Sequence, residues 1–395
     1  MDTVTLPDPR LDSDRTLPHQ FSTFVCGQDP TNDYIQVVGL TGGKAAGLPA
    51  LASAQNSPAA SGTWTPAFQA LTGAVPPNFL TDLTVCAGMN TTSAVGLGND
   101  GKVYVVGRNI GGSHWKPGSG VISQSTTFRE DTLTSWIINT GTCFAVSSSG
   151  APWVAAYQAQ DTQGTWTPGY ALPSPQSVEL TSLQARPDMS DDATTHAIGL
   201  TTDGQPFEVA YAAGRGTGVG NWKPGQGYLG QPVGLPVFQQ LVLVSSDAKN
   251  LFHVIGLGKD GSLWDVDQFT ATAAQPSWLG QSTQILPAGT IHNSSIQVHT
   301  TSTTASYITL DVIAWVENVL TIVARFTSNW TPLSQKIPTS GLALEWRVVE
   351  NMAHFLNLGS PASMILGIGG LGFIHELAYH SGGTWTEASS SPINN

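Results

Sequence analysis

Apolar residues in this chain come in short runs that break at a glycine-bearing turn and resume beyond it. His196-Ala197-Ile198-Gly199-Leu200 leads into Asp203-Gly204 and restarts around Phe207. His253-Val254-Ile255-Gly256-Leu257 leads into Asp260-Gly261 and restarts around Trp264. The same figure, with an aromatic three residues after the glycine, recurs at Asp100-Gly101 with Tyr104, Gly150 with Trp153, and Gly370 with Phe373. Asp-Gly between β-rich runs predicts a tight hairpin, because the glycine takes the positive φ that such turns require. Two copies are degenerate, with Ala46 and Leu320 near the aromatic position. No long segment keeps a helical period, which excludes helical solenoids.

A tryptophan in a recurring context sets the period. It appears in Gly62-Thr63-Trp64-Thr65-Pro66, Ser113-His114-Trp115-Lys116-Pro117, Gly164-Thr165-Trp166-Thr167-Pro168 and Gly220-Asn221-Trp222-Lys223-Pro224. It continues at Trp278, in Ser328-Asn329-Trp330-Thr331-Pro332 and at Trp385. The intervals are 51, 51, 56, 56, 52 and 55 residues. Each repeat supplies one entering strand, two hairpin strands and one strand carrying the Trp. Four short strands per unit, repeated, predict a propeller blade.

The expected fold is therefore all-β: a single seven-bladed β-propeller with four antiparallel strands per blade, spanning residues 1–395. Residues 1–19 form a lead-in, and the repeats run over about 20–77, 78–125, 126–177, 178–236, 237–289, 290–341 and 342–395. Thr3-Val4-Thr5-Leu6-Pro7 matches the pattern of Thr283-Gln284-Ile285-Leu286-Pro287. Residues 2–8 are accordingly predicted to complete the last blade and close the ring, removing an exposed edge.

Composition adds exclusions. Only 11% of residues are charged, and the net charge is −12 with no basic run. That excludes nucleic acid and anionic membrane as expected partners. No window approaches the roughly 18 apolar residues of a membrane span. The N-terminus lacks the basic start and apolar stretch of a signal peptide. The chain is read as made in the cytosol, with release by a non-classical route left open. Cys26, Cys86 and Cys143 show no CxxC spacing and read as small buried apolar residues. Neither His375 with His380 nor His292 with His299 shares a strand face, so no metal set and no cofactor is expected. The acidic stretches at 29–33 and 188–192 lack calcium-loop spacing and read as solvated loops.

Two readings of the repeat tryptophans stay open. Strand alternation puts the Trp on one face and its polar neighbours on the other, which suits packing between blades. The same ring at the rim of a groove would stack on the apolar face of a sugar. Residues preceding it, including His114, Thr165 and Asn221, would then fix hydroxyls. Trp115, Trp166 and Trp222, which have the fullest motif, lead the binding candidates, with Trp64 and Trp330 next. The second aromatic set, Tyr104, Trp153, Phe207, Trp264 and Phe373, varies in ring type and reads as core.

The Trp-bearing repeats at about 20–395 resemble repeat β-propeller lectins of the tachylectin and tectonin groups and bacterial seven-bladed fucose-binding lectins. The residues carrying the resemblance are Lys259-Asp260-Gly261-Ser262-Leu263-Trp264 and the Gly-Thr-Trp motif. It implies a multivalent lectin with shallow sugar sites and no catalysis. Its expected partners are glycans or glycoconjugates, with homo-oligomerisation left open. Degeneracy of the first, fifth, sixth and seventh copies implies fewer than seven working sites. Val95-Gly96-Leu97-Gly98-Asn99-Asp100-Gly101 also resembles regulator-of-chromosome-condensation repeats, without their paired glycine-rich motif. Gln160-Asp161-Thr162-Gln163-Gly164-Thr165-Trp166 resembles the Asp box of sialidases, a structural turn, but lacks its leading Ser and has one residue too many. No paired carboxylates or nucleophile with its base stand out in sequence, so a propeller glycosidase ranks behind a lectin and a protein-interaction scaffold.

Overall fold

The computed structural model describes residues 21–29, 34–41, 51–56, 64–65, 80–87, 91–110, 115–123, 125–136, 141–158, 165–187, 194–213, 222–230, 234–246, 251–270, 277–292, 295–304, 307–339, 345–349, 363–368, 373–381 and 384–387. The apolar runs and turns of each repeat become four consecutive antiparallel strands, with one further short strand, Thr283–Leu286, paired to the third strand of the fifth sheet. Among the described residues, seven such sheets follow one another along the chain. Their first strands are Phe21–Asp29, Leu80–Ala87, Thr134–Trp136, Leu180–Pro187, Phe238–Ser246, Ile296–Thr304 and Glu345–Val349. Each first strand lies against the first strand of the next sheet, and that of the last sheet lies against that of the first. The arrangement is an all-β propeller with four antiparallel strands per blade, whose opening strands face the axis and whose Trp-bearing strands form the rim.

Burial follows this geometry. The second strand of the fourth sheet, Thr194–Thr201, is buried along almost its whole length, and so is Thr142–Val146 in the third. A strand covered on both faces by neighbouring sheets needs apolar residues on both, which is why these runs are continuous rather than alternating. The rim strands Trp166–Ala171 and Trp330–Lys336 are half-buried to exposed. The core is accordingly divided into clusters between neighbouring sheets. One of them joins Phe24 and Val37 of the first sheet to Met364, Leu366, Ile368 and Ile374 of the last. The ring therefore closes through apolar packing. The four strands of the last sheet all come from residues 345–387, and the closing strand expected at residues 2–8 lies outside the described residues.

The hairpin glycines serve two purposes. Gly101, Gly150, Gly204 and Gly261 all have positive φ, between 73° and 85°. Each also offers its carbonyl to an N–H on the way into the next sheet, from Phe128 (2.8 Å), Leu180 (3.0 Å), Phe238 (2.9 Å) and Ile291 (3.1 Å) respectively. A Cβ at Gly261 would stand 2.4 Å from the Ile291 carbonyl oxygen, so the hook requires glycine as the turn does.

A β-bulge unforeseen in the sequence recurs between the second and third strands of six sheets, leaving Val106, Ala155, Val209, Val266, Val323 and Leu377 without a cross-strand partner. All six are buried. A bulge increases local twist, and here it also turns an extra apolar side chain into the core.

Candidate functional site

The rim strand of each sheet reaches over the seam shared with the preceding sheet, so each repeat Trp with a described side chain packs on its neighbour. Trp222 of the fourth sheet is 7% exposed and meets Phe144 of the third edge-on, with ring centroids 5.8 Å apart. Trp278 and Trp385 are equally buried, against the fourth and sixth sheets. Trp330 packs on the fifth sheet and donates its indole N–H to Asp265 Oδ2 at 2.8 Å. Trp166 is half-buried on the cluster shared by the second and third sheets.

The seams differ at one repeated cross-strand pair just past the bulge, between the second strand and the third. The pair is Ser93 with Arg108 in the second sheet, Thr142 with Tyr157 in the third and His196 with Tyr211 in the fourth. It becomes His253 with Gln268 in the fifth and Asp311 with Arg325 in the sixth. In the fourth sheet His196 Nδ1 lies 2.7 Å from Glu208 Oε1, and its ring sits among Phe252, Phe269 and Trp278 of the next sheet. In the fifth, His253 Nδ1 lies 3.0 Å from Asp265 Oδ2, which also accepts from Gln268 Nε2 at 2.6 Å. These histidines are 1% and 0% exposed, so they fill their seams.

Asp267 on the same strand accepts backbone N–H bonds from Gly230, Gln268 and Gly280, yet burial holds its carboxyl above the ordinary value. In the sixth sheet Arg325 grips Asp311 with two bonds of 2.6 and 2.8 Å, which raises the guanidinium pKa.

The seam between the second and third sheets is different. It opens into a cleft of about 390 Å³ lined by Val105, Arg108, Ile122 and Ser123 on one side and Thr165, Trp166 and Pro168 on the other. A half-buried aromatic ring, an arginine and two hydroxyls converge on a hollow of mixed polar and apolar lining. That set suits a small amphipathic ligand held by stacking and a few directed hydrogen bonds. The motif continuing from Trp166 shapes the wall. Pro168 has no N–H to lose on a rim strand, and a Cβ at Gly169 would stand 1.6 Å from the Val154 carbonyl oxygen. Gly118 and Gly225 make similar approaches after Trp115 and Trp222.

Of the candidate binding residues, the structure brings Trp166 and Thr165 together in this cleft and adds Arg108, which sequence reasoning missed. Arg108 lies 58 positions before Trp166 on a different sheet, and only the ring joins them. Trp222 is core, and Trp330 is engaged in a filled seam. Trp64 and Trp115 begin rim strands, their side chains outside the description. His114 and Asn221 lie outside the described residues. The second aromatic set behaves as packing, with Tyr104 and Phe207 buried and Trp153 and Trp264 leaning on seam clusters. Tyr104 also donates to Asp100 Oδ2 at 2.9 Å, and burial, with this bond, pushes its hydroxyl up to about 12. Among the described residues no group of three or more His, Cys, Asp or Glu could hold a metal ion, and no helix is long and apolar enough to cross a membrane.

No protein-family model and no curated protein sequence matches the chain. Solved structures do. The BP39L lectin from Burkholderia pseudomallei is 18% identical at a TM-score of 0.64, over 95% of this chain and 99% of that one. A polysaccharide lyase of family PL25, an ulvan lyase, is 10% identical at 0.53, over 94% and 97%. A six-bladed lectin from Aleuria aurantia is 12% identical at 0.43, over 81% and 99%. At these identities the likeness is one of fold: the chain has the β-propeller architecture found among propeller lectins.

Proposed function

We propose that this propeller is a carbohydrate-binding protein whose ligand sites lie in the outer seams between blades, and that it binds sugars without transforming them. The observation that carries the reading is the cleft in which Trp166, Thr165, Arg108 and Ser123 converge. Stacking on the indole would hold the C–H face of a pyranose, while the guanidinium and hydroxyls would take its oxygens. Such a site is weak, because sugar hydroxyls exchange water for protein partners with small net gain. Several sites on one ring recover affinity by multivalency. The seven sheets are read as seven blades with fewer than seven working sites, since seams occupied by His196 and His253 leave no room for a ligand. Fold likeness to the BP39L lectin supports the reading.

The test is a glycan array probed with the wild-type protein and with folded Trp166→Ala and Arg108→Gln variants. Binding that drops in both variants supports a lectin with its site in this cleft. A broad array with no signal would make a protein-interaction scaffold the better account.

A further inference from the structure

Two of the three cysteines meet in the seam beneath the cleft. Cys86 sits near the end of the axis-facing strand Leu80–Ala87 of the second sheet. Cys143 lies in the second strand of the third sheet, Thr142–Val146, beside Ser135. Ser135 reaches across the same seam to donate to the Val85 carbonyl at 2.8 Å, so these two strands are pinned where the cysteines face each other. Both cysteines are 0% exposed and share one apolar cluster, on which Trp166 also rests. Gly141, two residues before Cys143, makes room for the contact: a Cβ there would stand 2.6 Å from Cys86 Sγ. Burial, followed by the neighbouring Cys86 thiol, pushes the Cys143 thiol well up. In the folded, reduced protein the pair is therefore shielded and unreactive.

The same pair is accessible before the seam closes. We propose that Cys86 and Cys143 are an oxidisable pair that forms a disulfide between the second and third sheets when the chain folds in the presence of a small-molecule disulfide such as oxidised glutathione. One cysteine thiolate attacks a glutathione sulfur, giving a mixed disulfide and releasing one glutathione thiolate. The other cysteine thiolate then attacks the protein sulfur of that mixed disulfide, forming the Cys86–Cys143 bond and releasing the second glutathione. Two protein thiols are oxidised, one glutathione disulfide is reduced, and the two protons pass to the departing thiolates. The crosslink encloses the chain between residues 86 and 143, a little more than one repeat, which favours a stabilising effect on the folded ring.

The test is refolding from guanidinium with a glutathione redox buffer or with reductant alone, followed by intact mass, alkylation after unfolding and peptide mapping. The expected oxidised product is about two mass units lighter than the reduced protein. It retains Cys26 as its one alkylatable thiol and yields a Cys86–Cys143 linked peptide. Its thermal midpoint is higher on the order of 5 °C. A Cys26→Ser variant, which leaves the pair intact, should then show no free thiol. Refolded protein that keeps both thiols free, carries glutathione on either one, or melts lower when linked would overturn the proposal.

Discussion

The seam between the second and third sheets and the seam between the fifth and sixth are assembled from the same parts and end differently. Each has a buried second strand, a bulged third strand and a Trp reaching over from the next rim. In the fifth sheet the cross-strand pair is His253 with Gln268, and Asp265 gathers His253, Gln268 and Trp330 onto one carboxylate oxygen. The seam is filled, and its Trp is tied down. In the second sheet the pair is Ser93 with Arg108. A short side chain and a long one leave the volume that opens as the cleft under Trp166. In these two seams the place of the repeat Trp goes with this pair of positions.

Substitutions sharpen that contrast. The largest effect is expected from Trp222→Ala, which empties a buried site against Phe144 and should cost about 3–5 kcal/mol, read as a lower denaturant midpoint. Trp166→Ala should leave the fold standing and cost at most about 2 kcal/mol, while abolishing array binding; equal losses in the two variants would erase the distinction between core and cleft tryptophans. A comparable loss to that of Trp222→Ala, about 3 kcal/mol or more, is expected for His253→Leu, because Asp265 would keep its burial without its imidazole partner.

Arg108→Gln should weaken glycan binding about tenfold, equivalent to about 1.4 kcal/mol, with little change in melting. Arg325→Gln, which removes both bonds to Asp311, should lower the denaturant midpoint.

The smallest effect concerns pH. Burial raises the Asp267 carboxyl above 3.8, so its contribution to stability is fully present below that value and is lost as pH rises through the raised pKa. Asp260 is lowered, first by the Ser262 hydroxyl, so its contribution is present above 3.8 and lost as pH falls through the lowered pKa. Urea midpoints measured across this range should respond in opposite senses to Asp267→Asn and Asp260→Asn. Matching pH profiles for the two variants would contradict the assignment.

The sequence by itself determined the repeat. Tryptophans at near-constant intervals, Asp-Gly turns and continuous apolar runs are local signals, because strand pairing within a blade joins neighbours in the chain. The hairpin glycines were equally legible, although their second duty, receiving an N–H from the next sheet, was not. The six bulges left no mark, since the extra residue is an ordinary buried Val, Ala or Leu. Tertiary structure alone decided which tryptophans line a cleft. In the two seams compared, that choice goes with a pair contributed by the preceding blade, Ser93 with Arg108 or His253 with Gln268, 58 to 77 positions upstream of the Trp it meets. Propensity and periodicity act over a few residues, whereas the seam is made only when apolar burial brings successive sheets together around the axis.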